Sequence, residues 1–164
     1  MTIRYLHLFP HRSIIDNLTD SIGLGFPKEL AQRKAVVTLM MAGFTEEKSR
    51  QILNRFPGEL SDGERHRVAL AQVLIREPCL VIPGEPTGTM DPIKKQDVKH
   101  SILHASDEMD ETFIVVSHDM DFVRDICDRL ALMRGGKIIQ IGATDEILSQ
   151  VTEEEKDRGC HCPF

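Results

Sequence analysis

Residues 60–88 read LSDGERHRVALAQVLIREPCLVIPGEPTG, and they contain the clearest helix and strand patterns of the chain. Ser61 followed three residues later by Glu64 is the pattern of a capping box at the start of a helix. Apolar residues then recur on one helical face until a proline ends the helix, and Leu80–Ile82 is a short apolar run of the kind found in buried strands. The stretch therefore predicts a buried helix that leads into a buried strand, with Glu85 soon after the strand.

Helix and strand patterns alternate along the rest of the chain. Helical patterns cover Ser13–Asp20, Lys28–Met41, Thr45–Phe56, Asp91–Met109, Asp119–Cys127 and Thr144–Val151. The apolar run Thr112–Ser117 predicts a strand buried on both faces. Two further strands flank Gly135-Gly136, which predicts a hairpin. Helices that alternate with short buried strands predict an α/β fold.

The bulk properties fit a single globular domain. The 164 residues are 41% hydrophobic and 28% charged, which is ordinary for a soluble protein. The net charge of −6 and the lack of a basic stripe argue against a nucleic-acid partner. The apolar runs are too short for direct membrane insertion, and the first ten residues lack a secretory signal pattern. These features favour a cytoplasmic location.

The four cysteines divide into two kinds. Cys79 and Cys127 lie among apolar residues and are expected to be buried and reduced. Cys160 and Cys162 flank His161, and this run would be the basis of a small metal protein. A second pair of ligands at metal-binding spacing is missing from the sequence, so the run is better explained as part of a loose tail and no metal ligand is assigned.

Five motifs follow one another along the chain, and they are Leu60–Ala71, Leu80–Gly88, Asp91, Ser117–Asp119 and the segment from Asp128 to Lys137. In this order and spacing they resemble the ATP-binding cassette (ABC) ATPases, from Leu8 to about Ile147. The resemblance implies an α/β fold that is a truncated P-loop NTPase domain, with a helical subdomain and a partial, mostly parallel sheet. It divides the chain into a segment next to the Q-loop (1–12), a helical subdomain (13–60), a part of the ATPase core (61–151) and a loose tail (152–164).

The segment from Ser61 to Glu64 matches the family's signature motif. The free N–H groups and the dipole at a helix N-terminus favour an anion. The resemblance implies that Ser61, Gly63 and Glu64 face the γ-phosphate of an ATP molecule held by a partner subunit. A capping box without any ligand would give the same local pattern.

Three further residues match functional positions of the family. The resemblance makes Glu85 the carboxylate that orients or activates the attacking water. It makes Asp91 the residue of the D-loop, which lies against the partner subunit, and Asp91 is also suited to cap the helix that begins at Pro92. It makes His118 the switch histidine that contacts the γ-phosphate. The implied cofactors are ATP and Mg²⁺.

Four departures from the family pattern bear on activity. The phosphate-binding pattern G-x-x-x-x-G-K-[ST] does not occur in residues 1–164. Arg4 stands near the position of the Q-loop glutamine. Pro83 and Gly84 replace an apolar residue and the magnesium-binding aspartate, so a hard oxygen ligand is lost. Asp62 replaces the first signature glycine and adds a negative charge where a phosphate is expected.

These observations leave several hypotheses open. The first is an ATPase module in which another polypeptide, either a second ABC cassette or the missing N-terminal portion, supplies the phosphate loop. The second is a non-catalytic module that retains the fold, and the departures favour it for the chain alone. Within the family, the motifs look most like the soluble tandem cassettes exemplified by component A2 of the methyl-coenzyme M reductase system of methanogenic archaea, whose partner is the activation complex of that reductase. The ATP-binding subunit of a transporter is the alternative. A missing phosphate-loop strand would leave open sheet edges, so we expect a poorly soluble or partner-dependent chain.

Overall fold

The computed structural model describes residues 2–3, 8–20, 22, 27–87, 90, 92–108 and 112–157. Its helices are α1 (Ile14–Thr19), α2 (Lys28–Met41), α3 (Glu46–Ile52), α4 (Asp62–Leu74), α5 (Pro92–Glu108), α6 (Met120–Ile126) and α7 (Thr144–Asp157). Its strands are β1 (Thr2–Ile3), β2 (Leu80–Pro83), β3 (Thr112–Phe113), β4 (Arg129–Arg134) and β5 (Lys137–Ala143). The predicted α/β class is confirmed. None of the described helices combines the length and the apolar character that a membrane crossing requires.

The chain forms two compact units, Met1–Val116 and Ser117–Phe164. The segment boundaries at residues 12, 60 and 151 that the family resemblance implies stay predictions.

Helix α4 lies at the centre of the first unit. It packs against α1, α2 and α5, and its buried face forms part of one continuous apolar core. That core also takes in Val81 of β2, so the helical part and the sheet share it. The core side chains of α4 and its C-terminal cap are Val68, Leu70, Ala71, Val73, Leu74 and Ile75. The apolar spacing in the sequence had predicted this buried face.

The first unit contains a parallel sheet in the order β1-β2-β3. Thr2 pairs with Ile82, and Leu80 pairs with Thr112. Pro83 occupies the last position of β2, where its carbonyl oxygen accepts a hydrogen bond from the Val116 amide at 2.9 Å. Because proline has no N–H, the strand loses one donor at this point but keeps its acceptor. The predicted mostly parallel sheet is confirmed in the part of the chain described.

The expectation that Thr112–Ser117 is buried on both faces is wrong. Regular strand structure covers only Thr112–Phe113, and the side chains of Ile114 and Val116 are 49% and 53% exposed. An apolar run indicates a strand that is suited to burial. Whether both faces of the strand are covered depends on the elements that pack against it in the described chain.

Most predicted helix starts are confirmed by their capping residues. The side chains of Ser13, Thr45, Ser61 and Asp119 each accept a hydrogen bond from a backbone amide three residues later. The helix predicted from Thr45 towards Phe56 ends earlier, at Ile52, because a short 3₁₀ turn at Pro57–Glu59 follows it. The predicted cap Asp91 lies outside the described residues.

A buried asparagine, which the sequence patterns did not indicate, holds the segment before α1. Asn17 is 1% exposed, and its Oδ1 accepts a hydrogen bond from the Phe9 amide at 2.7 Å. Its Nδ2 donates to the carbonyl oxygens of Phe9, Arg12 and Ser13. The backbone carbonyl oxygen of Asn17 accepts a hydrogen bond from Nε2 of Gln72 in α4 at 3.1 Å. A buried polar side chain with all its groups bonded fixes the loop firmly on the core.

The second unit consists of α6, the antiparallel pair β4–β5 and α7. Gly135 and Gly136 adopt φ angles of 56° and 76°, which side-chain-bearing residues seldom adopt, so the predicted hairpin is confirmed. Helix α7 continues to Asp157, beyond the predicted end at Val151. The run from Cys160 to Cys162 lies outside the described residues.

The expectation that two cysteines are buried is wrong. Cys79 is exposed and Cys127 is half-buried. Cys79 follows Pro78 in the loop between α4 and β2, where apolar neighbours in sequence do not become neighbours in the core. Burial, together with the nearby charge of Asp128, raises the pKa of the Cys127 thiol.

Truncating the core face of α4 tests its central position. Leu74 is 1% exposed, so Leu74→Ala should lower the free energy of unfolding by about 2 to 5 kcal/mol, because burial is lost and a cavity remains. Leu30→Ala on α2 is the control, since Leu30 is 50% exposed and should cost less than about 1 kcal/mol. Urea unfolding followed by circular dichroism measures both, and equal losses would contradict the central role of α4.

Candidate functional site

The N-terminus of α4 carries the predicted signature residues. The Ser61 hydroxyl accepts a hydrogen bond from the Glu64 amide at 3.2 Å, and the Glu64 carboxylate accepts one from the Ser61 amide at 2.9 Å. This reciprocal arrangement is the capping box that the sequence predicts. The capping box occupies two of the backbone N–H groups at the helix end. An incoming anion would therefore interact with the remaining free N–H groups and with the helix dipole.

A lysine from a different helix supports the capping box. Lys48 Nζ of α3 lies 2.7 Å from Glu64 Oε1. The Glu64 side chain is only 16% exposed, so the ion pair is partly shielded from solvent. The hydrogen bond from Lys48, followed by the one from the Ser61 amide, holds the pKa of the Glu64 carboxyl below its usual value. The start of α4 is thereby fixed to α3.

Asp62, which replaces a signature glycine, is paired with two cations. Its Oδ2 lies 2.9 Å from Lys94 Nζ of α5, and its Oδ1 contacts Arg65 one turn further along α4. The hydrogen bond and charge of Lys94, followed by the charge of Arg65, lower the pKa of the Asp62 carboxyl. The negative charge expected to repel a phosphate is therefore balanced locally, which weakens that repulsion.

Gly63 lies close to the neighbouring helix. A Cβ atom at this position would come within 3.0 Å of Asp97 Oδ2 on α5. Any larger residue would require the Asp97 side chain to move, so glycine lets α4 and α5 approach each other at this point. Neither Lys94 nor Asp97 was singled out from the sequence, because each lies about 30 residues from the signature segment and no local pattern links them.

Glu85 follows the end of β2 by two residues, at the carboxyl edge of the parallel sheet. Its φ angle is 49°, a left-handed conformation that is costly for a residue with a side chain. The Glu85 amide donates to the Val116 carbonyl at 2.7 Å, which anchors the turn to the segment after β3. The side chain is exposed. A strained backbone that presents a carboxylate at the carboxyl edge of parallel strands is common at ligand sites.

The other two predicted site residues, His118 and Asp91, do not belong to the described part of the first unit. His118 belongs to the second unit and is exposed, directly before Asp119, which caps α6 through a hydrogen bond from the Phe122 amide at 3.1 Å. Asp91 lies outside the described residues. The first unit therefore holds Ser61, Gly63 and Glu64 at one helix end and Glu85 at the end of β2, and the second unit holds His118.

The described residues do not fit a magnesium site of their own. Gly84 stands where the family has its metal-binding aspartate, and glycine offers no carboxylate oxygen. Among the residues that the structure describes, no three His, Cys, Asp or Glu side chains gather as a metal site. The donors at the start of α4 suit a phosphate group, but a phosphate loop would have to come from outside residues 1–164.

The pKa of Glu64 gives a test of the link between α3 and α4. Because the folded-state pKa lies below the unfolded value of 4.5, the ion pair contributes stability above that pH, and the contribution is lost as the pH falls through the folded pKa. Glu64→Gln keeps a capping acceptor but removes the charge, so its loss of stability on acidification below pH 4.5 should be smaller than that of the unsubstituted chain. Urea unfolding at stepped pH measures this difference. Glu59→Gln, in the nearby 3₁₀ turn, is the control, and identical pH profiles for all three proteins would refute the role of the Lys48 pair.

The pairing of Asp62 can be measured directly. Removing Lys94 takes away the first cause of the lowered pKa, so Lys94→Ala should raise the pKa of Asp62 towards 3.8. Titration followed by NMR of the side-chain carboxyl carbon reads out the shift. Lys99→Ala, on the same helix, is the control and should leave the value unchanged; an unchanged pKa in Lys94→Ala would show that the contact does not form in solution.

The sequence of the chain is similar to those of known proteins. The family model described as ABC transporter matches residues 1–88. An uncharacterized ABC transporter ATP-binding protein of Methanocaldococcus jannaschii is 57% identical over 149 residues, which cover 91% of this chain and 28% of that protein. A probable amino-acid ABC transporter ATP-binding protein of Sinorhizobium fredii is 33% identical over 156 residues, which cover 94% of this chain and 59% of that protein.

The fold similarity agrees with the sequence similarity. The solved structure of cbiO1 from Clostridium perfringens, described as part of an ABC transporter complex, has a TM-score of 0.75 and 25% identity, and covers 93% of this chain and 59% of that one. The chain thus spans less than two thirds of the length of each of these relatives. Their names support the transporter alternative better than the A2 resemblance. The match of the family model over more than half of the residues, together with these identities, shows that the chain belongs to the ABC transporter family.

Proposed function

We propose that residues 1–164 are the signature-helix and catalytic-glutamate part of an ABC-type ATP-binding module, completed by a phosphate loop from outside these residues. The observation that carries the proposal is the position of Glu85, whose carboxylate follows β2 at the carboxyl edge of the sheet on a left-handed backbone. The phosphate-suited start of α4 lies in the same unit. Together they supply the protein's own part of a phosphoryl-transfer site.

In this proposal Glu85 acts on the attacking water. A carboxylate can accept a hydrogen bond from the water and hold it in line with the terminal phosphate, which is a positioning or general-base role. The anchored turn supports this role, because the Glu85 amide bonded to the Val116 carbonyl restrains the backbone that carries the side chain. His118 would contact the γ-phosphate, and Asp91 would lie against the partner subunit.

The start of α4 would receive the γ-phosphate of a nucleotide held by a partner cassette. Ser61 and Gly63 offer the hydroxyl and backbone groups at the helix end, and Glu64 holds that end in shape through its capping bond. The pairing of Asp62 with Lys94 keeps the local charge near neutral. ATP would supply the transferred phosphoryl group and Mg²⁺ would neutralise its charge, but with Gly84 in place of aspartate this chain offers no described ligand for the metal.

We further propose that the module is the ATP-binding subunit of an ABC transporter on the cytoplasmic side of a membrane. The names of the relatives support this assignment, since they are transporter ATP-binding proteins for amino acids in one case and glycine betaine in another. The partners would then be a second cassette and a membrane-embedded subunit.

One observation favours a second candidate, the activator of methyl-coenzyme M reductase. The 149 matched residues are 28% of the Methanocaldococcus relative, whereas 156 matched residues are 59% of the Sinorhizobium one, so the archaeal protein is about twice as long. That length leaves room for a second cassette, as the A2 resemblance implies. Co-purification with a membrane subunit would support the transporter, and stimulation of the purified reductase in the presence of ATP would support the activator.

Substitution of Glu85 tests the catalytic role. In a complex with a cassette segment that supplies the phosphate loop, Glu85→Gln should slow ATP hydrolysis by about 10² or more, because the amide cannot take up the proton of the water. ATP binding should stay within about twofold. Single-turnover hydrolysis and equilibrium nucleotide binding measure the two effects.

Glu77→Gln is a matched control. Glu77 has a φ angle of 50°, close to that of Glu85, but it precedes β2 and pairs with Lys34 of α2 at 2.8 Å. Its substitution should leave hydrolysis unchanged. If the unsubstituted complex binds ATP without hydrolysing it, the chain is a non-catalytic module, and if Glu85→Gln hydrolyses at the full rate, Glu85 has another role.

A further inference from the structure

Helix α5 carries two histidines on its exposed side. The buried residues of this helix recur at helical spacing, and they are Val98, Ser101, Ile102 and Ala105. His100 and His104 alternate with these residues along the chain and are both exposed. The two imidazoles therefore belong to the solvent-facing surface of the first unit, on the side of α5 that does not pack on the core.

The spacing of the two histidines brings their side chains together. Residues four positions apart in an α-helix differ by about 40° around the axis and by about 6 Å along it. Their Cβ atoms are then about 5 to 6 Å apart. Because α5 is regular from Pro92 to Glu108, both histidines lie inside the helix and not at a frayed end. The two rings can thus approach one ion from neighbouring turns without any change of the backbone.

Both imidazoles are available to a ligand. None of the described residues forms a hydrogen bond or an ion pair with His100 or His104. A neutral imidazole has one ring nitrogen with a free lone pair, and this nitrogen suits zinc, nickel and copper ions. One exposed histidine would hold such an ion weakly. Two histidines on one helical face act as a chelate, because the second ring binds an ion that the first already holds nearby.

The last turn of α5 adds negative charge next to the pair. Asp107 and Glu108 follow His104 by three and four residues, and both are exposed. Their charge favours a cation at this end of the helix. No three His, Cys, Asp or Glu side chains gather as a metal site among the described residues, so neither carboxylate is placed as a third ligand. The protein therefore offers two nitrogen ligands here, and water would fill the other positions of the ion.

We propose that His100 and His104 form a two-histidine site for a divalent transition-metal ion of the zinc, nickel and copper class. Each ring would coordinate the ion through one nitrogen at a distance of about 2.0 to 2.1 Å. The ion would join two successive turns of α5, the helix whose Lys94 pairs with Asp62 at the start of α4. The site is independent of the proposed function, because it involves none of the residues assigned to ATP and needs no phosphate loop.

Calorimetric titration of the full chain with Ni²⁺ tests the site. Cys160→Ser and Cys162→Ser are present in every protein used, so that the thiols of the tail do not take up the ion. At about pH 7.5, where imidazole is mostly neutral, the chain should bind Ni²⁺ with a dissociation constant below about 0.1 mM. His104→Ala should weaken binding at least about tenfold, because the chelate is lost. Absence of binding to the chain that retains both histidines would overturn the proposal.

A variant with altered spacing is the matched control. His104→Ala/Ser106→His keeps the number of histidines, but positions 100 and 106 differ by about 120° around the helix axis. Ser106 is exposed, so the change does not disturb the core, and circular dichroism checks that the helices are retained. This variant should bind Ni²⁺ as weakly as His104→Ala. If it binds as tightly as the chain with His100 and His104, the titration reports an adventitious ion only, and the proposal fails.

NMR of the histidine ring protons locates the bound ion. Ni²⁺ is paramagnetic and broadens the signals of the rings that lie nearest to it. At low Ni²⁺ the signals of His100 and His104 should broaden together, before those of His11 and His118, which are also exposed. Earlier broadening of His11 or His118, or broadening of only one of the two α5 rings, would place the ion elsewhere and contradict the two-histidine site.

Discussion

The buried face of helix α4 is the constraint on which the first unit depends. Val68, Ala71 and Leu74 are almost fully buried, and they join the helices to the sheet through one core that includes Val81. Because this face is fixed, the helix start has a fixed position as well, and the capping box of Ser61 has little freedom to move. The residues that would meet a phosphate are thus positioned by apolar packing some turns away from them.

Charge pairs from neighbouring helices complete this end of α4. Lys48 reaches Glu64 from α3, and Lys94 reaches Asp62 from α5. Each pair ties the start of α4 to another element, and each balances a carboxylate that would otherwise oppose an anion. The two pairs differ in exposure: the Glu64 side chain is mostly buried, whereas Asp62 is solvent-exposed and its pair is accordingly weaker.

The sheet shows how local sequence and burial can disagree. Pro83 and Gly84 interrupt the end of β2, but the Pro83 carbonyl and the bridge from Gly84 to Val116 keep β2 and β3 in register. The run after Thr112 is as apolar as a fully buried strand, although Ile114 and Val116 face solvent. The apolar character of this run thus suits a sheet with other elements packed on both of its faces, and the described residues cover one of the faces less completely.

Local patterns were sufficient to predict the α/β class, the capping box at Ser61, the helix starts near Ser13, Thr45 and Asp119, the buried face of α4 and the glycine hairpin. These features depend on residues three or four positions apart, so the sequence by itself determined them. The signature segment and Glu85 could also be located in advance, because their motifs are contiguous. The roles assigned to them, and to Asp91 and His118, stay predictions.

Tertiary structure alone decided the contacts between residues far apart in the chain. The bonds of Asn17 to its loop and to Gln72, the pairs that Lys48 and Lys94 form, and the exposure of Cys79, Ile114 and Val116 all depend on which elements lie side by side. No periodicity encodes these contacts, because packing of the core, and not the spacing of residues along the chain, brings their partners together.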